Sequence, residues 1–336
     1  MKQSHYSRRR FLAHTSTLTA ASLFGLSRTA AAEPPPETDR IRVLHTPATC
    51  LAPQALAEDL LRLEGFSEVE YVMSPNAVGV EATAMGAADV LMWDAPGTLP
   101  VLDAGLPLVV LAGIHLGCYE LFATGSIRRI SDLKGRSVAV YWEDSGAQVL
   151  VRSMLAYVGL DPRKDVRWVM GPRAEDAKRL FVEGKADAFI GFPPHPQELR
   201  AEKFGHVILN TTEDRPWSQY FCCMLCANAD FVQRNPVASK RALRAYLRAA
   251  DICAQDPQRV ARYIVAKGYE PRYEFALDVL TRLPYNMWRH TNPEDTLRFY
   301  ALRLYEVGMI KTNPNKLITR GTDWRFLNEL KREMKA

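Results

Sequence analysis

The chain has 336 residues, of which 47% are hydrophobic and 24% charged, and its formal net charge is +5. That charge is an N-terminal effect. Residues 1–32 hold Lys2, Arg8, Arg9, Arg10 and Arg28 and no acid, which leaves 38 basic against 38 acidic residues in the remainder. A balanced remainder offers no basic footprint for nucleic acid or anionic lipid, so neither is expected as a partner.

In chain order the first element is a leader. Ser7-Arg-Arg-Arg-Phe-Leu12 precedes a mildly apolar stretch to Leu26, and Ala30-Ala31-Ala32 closes it. This pattern reads as a twin-arginine export signal over 1–32, handed to the twin-arginine translocase and cut after the small residues. His14, Thr15, Ser16, Thr17 and Thr19 make the stretch too short and too polar to span a bilayer stably. The mature chain is therefore expected in the periplasm. Residues 33–39, with Pro34-Pro-Pro36, form a stiff linker.

Ile41-Arg-Val-Leu44 is a β-rich run, and helical spacing through Ala55, Leu56, Leu60, Leu61 and Leu63 ends at Gly65. Strands are predicted at 69–73 and 88–93, around a short helix at 80–85. Leu108-Val-Val-Leu-Ala-Gly-Ile114 is apolar throughout, as a strand buried on both faces requires. The order then restarts: strands at 120–124, 137–141, 166–170 and 186–191, and helices at 147–158 and 175–183. Alternation of this kind argues for parallel sheets with helices on their faces. From Pro236 the chain is mostly helical, with Asn235-Pro236, Asp256-Pro257 and Asn292-Pro293 as helix starts.

Six cysteines are irregularly spaced. Tyr220-Phe-Cys-Cys-Met-Leu-Cys-Ala227 reads as a buried strand, and a chain of this size does not depend on disulfides. Neither a metal site nor a cofactor is expected. No Ser-His-Asp order, HExxH, P-loop or GxGxxG motif is present to support hydrolase or nucleotide chemistry.

Met85-Gly-Ala-Ala-Asp-Val90, Asp132-Leu-Lys-Gly-Arg-Ser-Val-Ala-Val140, Leu155 to Pro162, Glu183-Gly-Lys-Ala-Asp-Ala188 and Ala229 to Pro236 carry a resemblance. Together they resemble the nitrate/taurine/sulfonate-binding and NMT1/THI5-like branch of periplasmic solute-binding proteins of ABC importers. The resemblance implies an α/β, two-lobed periplasmic binding protein fold of type II, with a hinge and a helical C-terminal region. Residues 40–118 with 221–255 would form lobe 1, 119–220 lobe 2, and 256–336 helices packed on lobe 1. It also implies a monomeric binder, not an enzyme. Such a binder closes on a small-molecule ligand and docks on an inner-membrane ABC permease.

In such lobes ligands sit outside the carboxyl ends of the strands. Five loops qualify: 45–50, 93–96, 115–118, 141–146 and 192–196, with 217–220 as a sixth near the crossover. They supply His45, Trp93, Asp94, His115, Tyr141, Trp142, Glu143, Ser145, Phe192, Pro193 and Trp217 as candidate ligand-binding residues. None of these loops holds a lysine or arginine. Ser145-Gly146 opens a helix whose amides could hold an oxyanion, but Glu143 and Asp144 beside it would repel one. The expected ligand is a neutral or amine-bearing ring between aromatics, such as a thiamine-precursor-like heterocycle.

Three alternatives stand beside it. One is an aliphatic sulfonate, taurine or nitrate binder. Another is a ligand-sensing component of a membrane receptor. The last follows from eukaryotic members of the THI5 branch, which make the thiamine pyrimidine with iron and a Cys-Cys-Cys-Phe-Cys motif. Cys222-Cys223-Met224-Leu225-Cys226 matches three of that motif's four cysteines, with Met224 in place of the third.

Overall fold

The computed structural model describes residues 33–46, 48–73 and 79–334. The expected export signal lies outside them. No helix among the described residues is long and apolar enough to cross a membrane.

Two five-stranded sheets form the frame. The first holds β1 (Arg40–His45), β2 (Glu68–Met73), β3 (Val90–Asp94), β4 (Leu108–Leu116) and β10 (Phe221–Asn228), in the order β2-β1-β3-β10-β4. The second holds β5 (Glu120–Ala123), β6 (Ser137–Tyr141), β7 (Arg167–Gly171), β8 (Ala188–Gly191) and β9 (His206–Asn210), in the order β7-β6-β8-β5-β9. The continuous apolar runs of β4, β6 and β10 are buried along their whole length, because helices cover both sheet faces.

The sheets are mixed, not parallel as the alternation alone suggested. β10 runs antiparallel to β3 and β4, and β5 runs antiparallel to β8 and β9. The connections explain this. β4 ends at Leu116 and β5 begins at Glu120, so the chain passes from one sheet to the other in three residues. β5 therefore enters the second sheet without the helical crossover that parallel pairing with a neighbouring strand requires. β10 returns the chain to the first sheet after a longer link of ten residues, 211–220, that includes the turn Trp217–Gln219.

The two crossings are tied to each other. Thr211 Oγ1 accepts from the amides of Cys118 (3.1 Å) and Tyr119 (2.9 Å) and donates to the Tyr119 carbonyl (2.9 Å). Gly117 has φ 57°, and a Cβ there would lie 2.5 Å from Thr212 Cα, so only glycine fits.

Two elements were not anticipated at the site. The segment after β3 is not a loop: Ala95–Asp103 is a helix, capped by Asp94 and containing Pro100. Pro96 sits in its first turn, where a missing N–H costs nothing. His195–Ala201 is likewise helical, with Pro196 in its first turn. Breaker residues at helix starts were read as loops.

The long helix Pro236–Gln255 packs on Ala52–Leu63 and on β4. The later helices are not confined to the first sheet. Pro293–Glu306 contacts both Ala95–Asp103 and Gly146–Tyr157. Asp278 in Tyr273–Arg282 accepts from Gln197 (3.1 Å), and Arg272 pairs with Glu198 at 2.7 Å.

Candidate functional site

A cavity of about 410 Å³ opens between the carboxyl edges of the two sheets. From the first half Thr46, Cys50, Leu51, Met92, Trp93, Asp94 and Cys223 reach it. Tyr141, Trp142, Arg173, Glu175, Phe192 and His195 line the opposite side, and Cys118 and Tyr119 of the first crossing lie between.

The second half supplies an aromatic wall. Tyr141 and Phe192 meet edge to face at 5.8 Å, Tyr119 and Phe192 at 5.9 Å, and Tyr141 and Trp142 at 4.5 Å. The Tyr119 and Tyr141 hydroxyls lie 3.0 Å apart. Burial, with Asp94 adding to it, raises both phenols well above their ordinary range, so they stay protonated and neutral. Aromatic pairs of this geometry form a rigid surface against which a flat ring can stack.

Asp94 faces that wall from the first half. Its Oδ1 accepts from the Gly97 amide at 2.8 Å, capping Ala95–Asp103. Its carboxylate also abuts the start of Gly146–Tyr157: a Cβ on Gly146 would lie 2.0 Å from Asp94 Oδ2. Burial raises the Asp94 carboxyl to about 6, opposed by the Gly97 amide. Among the described residues Asp94 has no ion-pair partner.

The remaining charges on the wall are paired. Arg173 reaches Asp176 at 2.9 Å, and Glu175 reaches Lys178 at 3.1 Å and His195 Nε2 at 3.3 Å. Burial depresses the His195 imidazole, and Glu198 and Glu175 oppose that.

Of the sequence-predicted residues, Trp93, Asp94, Tyr141, Trp142 and Phe192 meet at this cavity. The others lie elsewhere. His45 packs between Tyr71 (6.1 Å) and Tyr269 (5.2 Å). His115 is fully buried, with Nδ1 3.0 Å from the Gly117 carbonyl. Glu143 is exposed, and Ser145 is buried, capping its helix by accepting from Gln148 N. Pro194, not Pro193, reaches the cavity wall. Trp217 packs on Tyr157 at 5.2 Å.

Arg173 corrects the expectation that the cleft loops hold no cation. It stands at the N-cap, and Glu175 in the first turn, of the helix Ala174–Val182 that follows β7 at the same carboxyl edge, so the strand-to-helix step at Gly171-Pro172 was the usable signal. Tyr119 is one residue beyond a predicted loop. Cys223 lies inside a strand, and the sequence marked it only as part of the Cys222-to-Cys226 run.

A profile of the family described as NMT1/THI5 like matches residues 64–260. Among solved structures, the periplasmic nitrate-binding protein NrtA from Synechocystis PCC 6803 aligns with a TM-score of 0.76 at 15% identity, covering 90% of each chain. The alkanesulfonate-binding protein SsuA from Xanthomonas axonopodis pv. citri, bound to MOPS, aligns at 0.71 and 17% identity, covering 88% of this chain and 100% of its own. The desulfurization enzyme DszB aligns at 0.62 and 16% identity, covering 88% and 99%. No curated protein sequence matches. At these identities the likeness is one of fold, and that fold carries both binders and an enzyme.

Proposed function

The chain belongs to the NMT1/THI5-like family, and from that footing we propose that it is an extracytoplasmic solute-binding protein without turnover, feeding an inner-membrane ABC permease. Its halves, 40–118 with 221–255 and 119–220, close on one small molecule. The ligand is a flat, neutral or amine-bearing ring compound. Residues 1–32 route the protein through the twin-arginine pathway to the periplasm, where it acts as a monomer.

One observation carries the ligand reading: Asp94 is an acid without an ion-pair partner among the described residues, on an aromatic-lined cavity whose other charges are paired. Its carboxylate also stands at the amino end of Gly146–Tyr157, where an oxyanion would otherwise be held. Stacking on Tyr141, Trp142 and Phe192 would supply binding area, and Asp94 would fix a donor group of the ring.

A second reading, an aliphatic sulfonate or nitrate-type anion, is favoured by Arg173 on the wall and by what NrtA and SsuA bind. The two are separated by thermal shift against a panel of thiamine pyrimidine and related N-heterocycles, taurine, alkanesulfonates and nitrate. Ligand at a hundred times its Kd adds about 2.7 kcal/mol of stability. Stabilisation by heterocycles supports the first reading, and stabilisation by anions alone replaces it with the second. Consumption of a bound compound would overturn the binder itself.

A further inference from the structure

At the cavity floor four donors from four separate segments converge, with His115 behind the three cysteines that line it. Cys50 lies on the turn Thr49–Leu51 after β1, His115 on β4, Cys118 in the first crossing and Cys223 on β10. Their ligating atoms all lie within 4.8 Å of one another, and all four residues are buried. We propose that Cys50, His115, Cys118 and Cys223 form a binding site for one thiophilic divalent cation of the zinc class.

The donor set is the first support. Three thiolates and one imidazole are a closed tetrahedral set for zinc. Metal–sulfur bonds of about 2.3 Å and metal–nitrogen bonds of about 2.0–2.1 Å put neighbouring donors roughly 3.5–3.8 Å apart, inside the observed spread. The thiol protons leave to solvent on binding.

His115 is the second, independent support. Its Nδ1 lies 3.0 Å from the Gly117 carbonyl, so Nδ1–H donates there and the lone pair falls on Nε2. That Nε2 is fully buried and has no hydrogen-bond partner among the described residues. A backbone carbonyl that fixes the tautomer is the usual outer partner of a metal-bound histidine. Without an ion, a buried acceptor is left unsatisfied, which is costly.

The surroundings hold these donors in place. His115 and Cys223 are direct neighbours on paired strands. Tyr285 donates to the Cys50 carbonyl at 2.9 Å and packs its ring on His115 at 5.3 Å. Cys118 is held at φ 149°, an uncommon conformation for a side-chain-bearing residue, and its amide is fixed by Thr211. Only one donor comes from the Cys222-to-Cys226 run. Cys226 points to Thr98 (3.9 Å), and Cys222 lies beside Cys118, with their sulfurs 2.9 Å apart. A bound ion would staple the turn after β1 to both inter-sheet strands at the base of the cleft.

The test uses the full chain, reduced and handled without oxygen, and titrated with Co2+ alone. The expected result is an intense visible spectrum of tetrahedral cobalt with a thiolate-to-cobalt charge-transfer band. It saturates at one ion per chain and is displaced by Zn2+. X-ray absorption of the zinc-loaded wild type gives three sulfur and one nitrogen neighbours, a readout that needs no variant. Cys223→Ser and His115→Ala lower affinity by about a hundredfold or more, since even outer-partner losses cost 10–100-fold. Cys222→Ser and Cys226→Ser retain it. A reduced wild type with no tetrahedral signature overturns the site, as does a signature that survives Cys223→Ser. A Cys118–Cys222 disulfide in the isolated protein, with no metal binding after its reduction, overturns it too.

Discussion

The two halves of the cleft are built from different chemistry. The first-sheet side presents Asp94 and three cysteine sulfurs, on short turns and strand ends locked to the crossings. The second-sheet side presents rings: Tyr141, Trp142 and Phe192, packed edge to face on one another. Directional donors need a fixed frame, because a hydrogen bond or metal bond fails beyond a few tenths of an ångström. A stacking surface tolerates sliding. In the binder proposed above, donors concentrated on the first side, beside Trp93, and rings on the second, beside the paired Arg173, Glu175 and His195, would let the rings slide while the donors stay fixed.

The division is most exposed to attack at the crossings. Gly117→Ala forces a Cβ against Thr212 in a left-handed conformation. It should cost about 2–4 kcal/mol in urea unfolding, combining a strain and an overpacking cost. A change under roughly 0.5 kcal/mol would show that the crossing yields easily and does not anchor the first side. Thr211→Val keeps the shape but removes the acceptor of two buried amides. A loss of about 1–3 kcal/mol is expected, read by the same unfolding curve.

The next pair sharpens the contrast between rings and donor. Trp142→Ala and Asp94→Asn should each weaken ligand binding by about tenfold, or about 1.4 kcal/mol, in calorimetry. The two should differ in kind. Trp142→Ala weakens every flat ligand alike, whereas Asp94→Asn weakens amine-bearing rings most and retains the helix cap, since asparagine caps as well as aspartate. Equal loss for charged and neutral rings would remove Asp94 from recognition.

The smallest effect concerns His195 on the ring side. Burial holds its folded imidazole below the ordinary range, so the folded state prefers the neutral form. That stability is present above the ordinary histidine value and is lost as pH falls through the folded one. Denaturation midpoints at pH 7 and 5 should therefore converge in His195→Gln relative to the parent. An unchanged pH slope would place the charge sensitivity elsewhere.

Much of the frame was legible before any coordinates. Continuous apolar runs marked β4, β6 and β10 as strands covered on both faces, and glycines after periodic segments marked helix ends. Helix starts were less legible where proline stood in the first turn, as at Pro96 and Pro196, because proline marks both a loop and a helix start. The aromatic residues of the site were readable, since Tyr141 ends β6, Trp142 and Phe192 follow β6 and β8, and Trp93 stands near the end of β3 on the other side.

By itself, then, the sequence determined the alternation of strands and helices, the burial of the central strands and the family to which the chain belongs. The first two follow from local periodicity, and the family rests on the five motif segments that carry the resemblance and on the profile match. Only the tertiary structure decided that the two inter-sheet strands run antiparallel, that Arg173 reaches the cleft and that His45 and Trp217 do not. It alone brought Cys50, His115, Cys118 and Cys223 together. Their meeting depends on strand register and on the three-residue crossing after β4. Cys50, Cys118 and Cys223 lie on a turn, a crossing and a strand far apart in sequence, and no local spacing relates them.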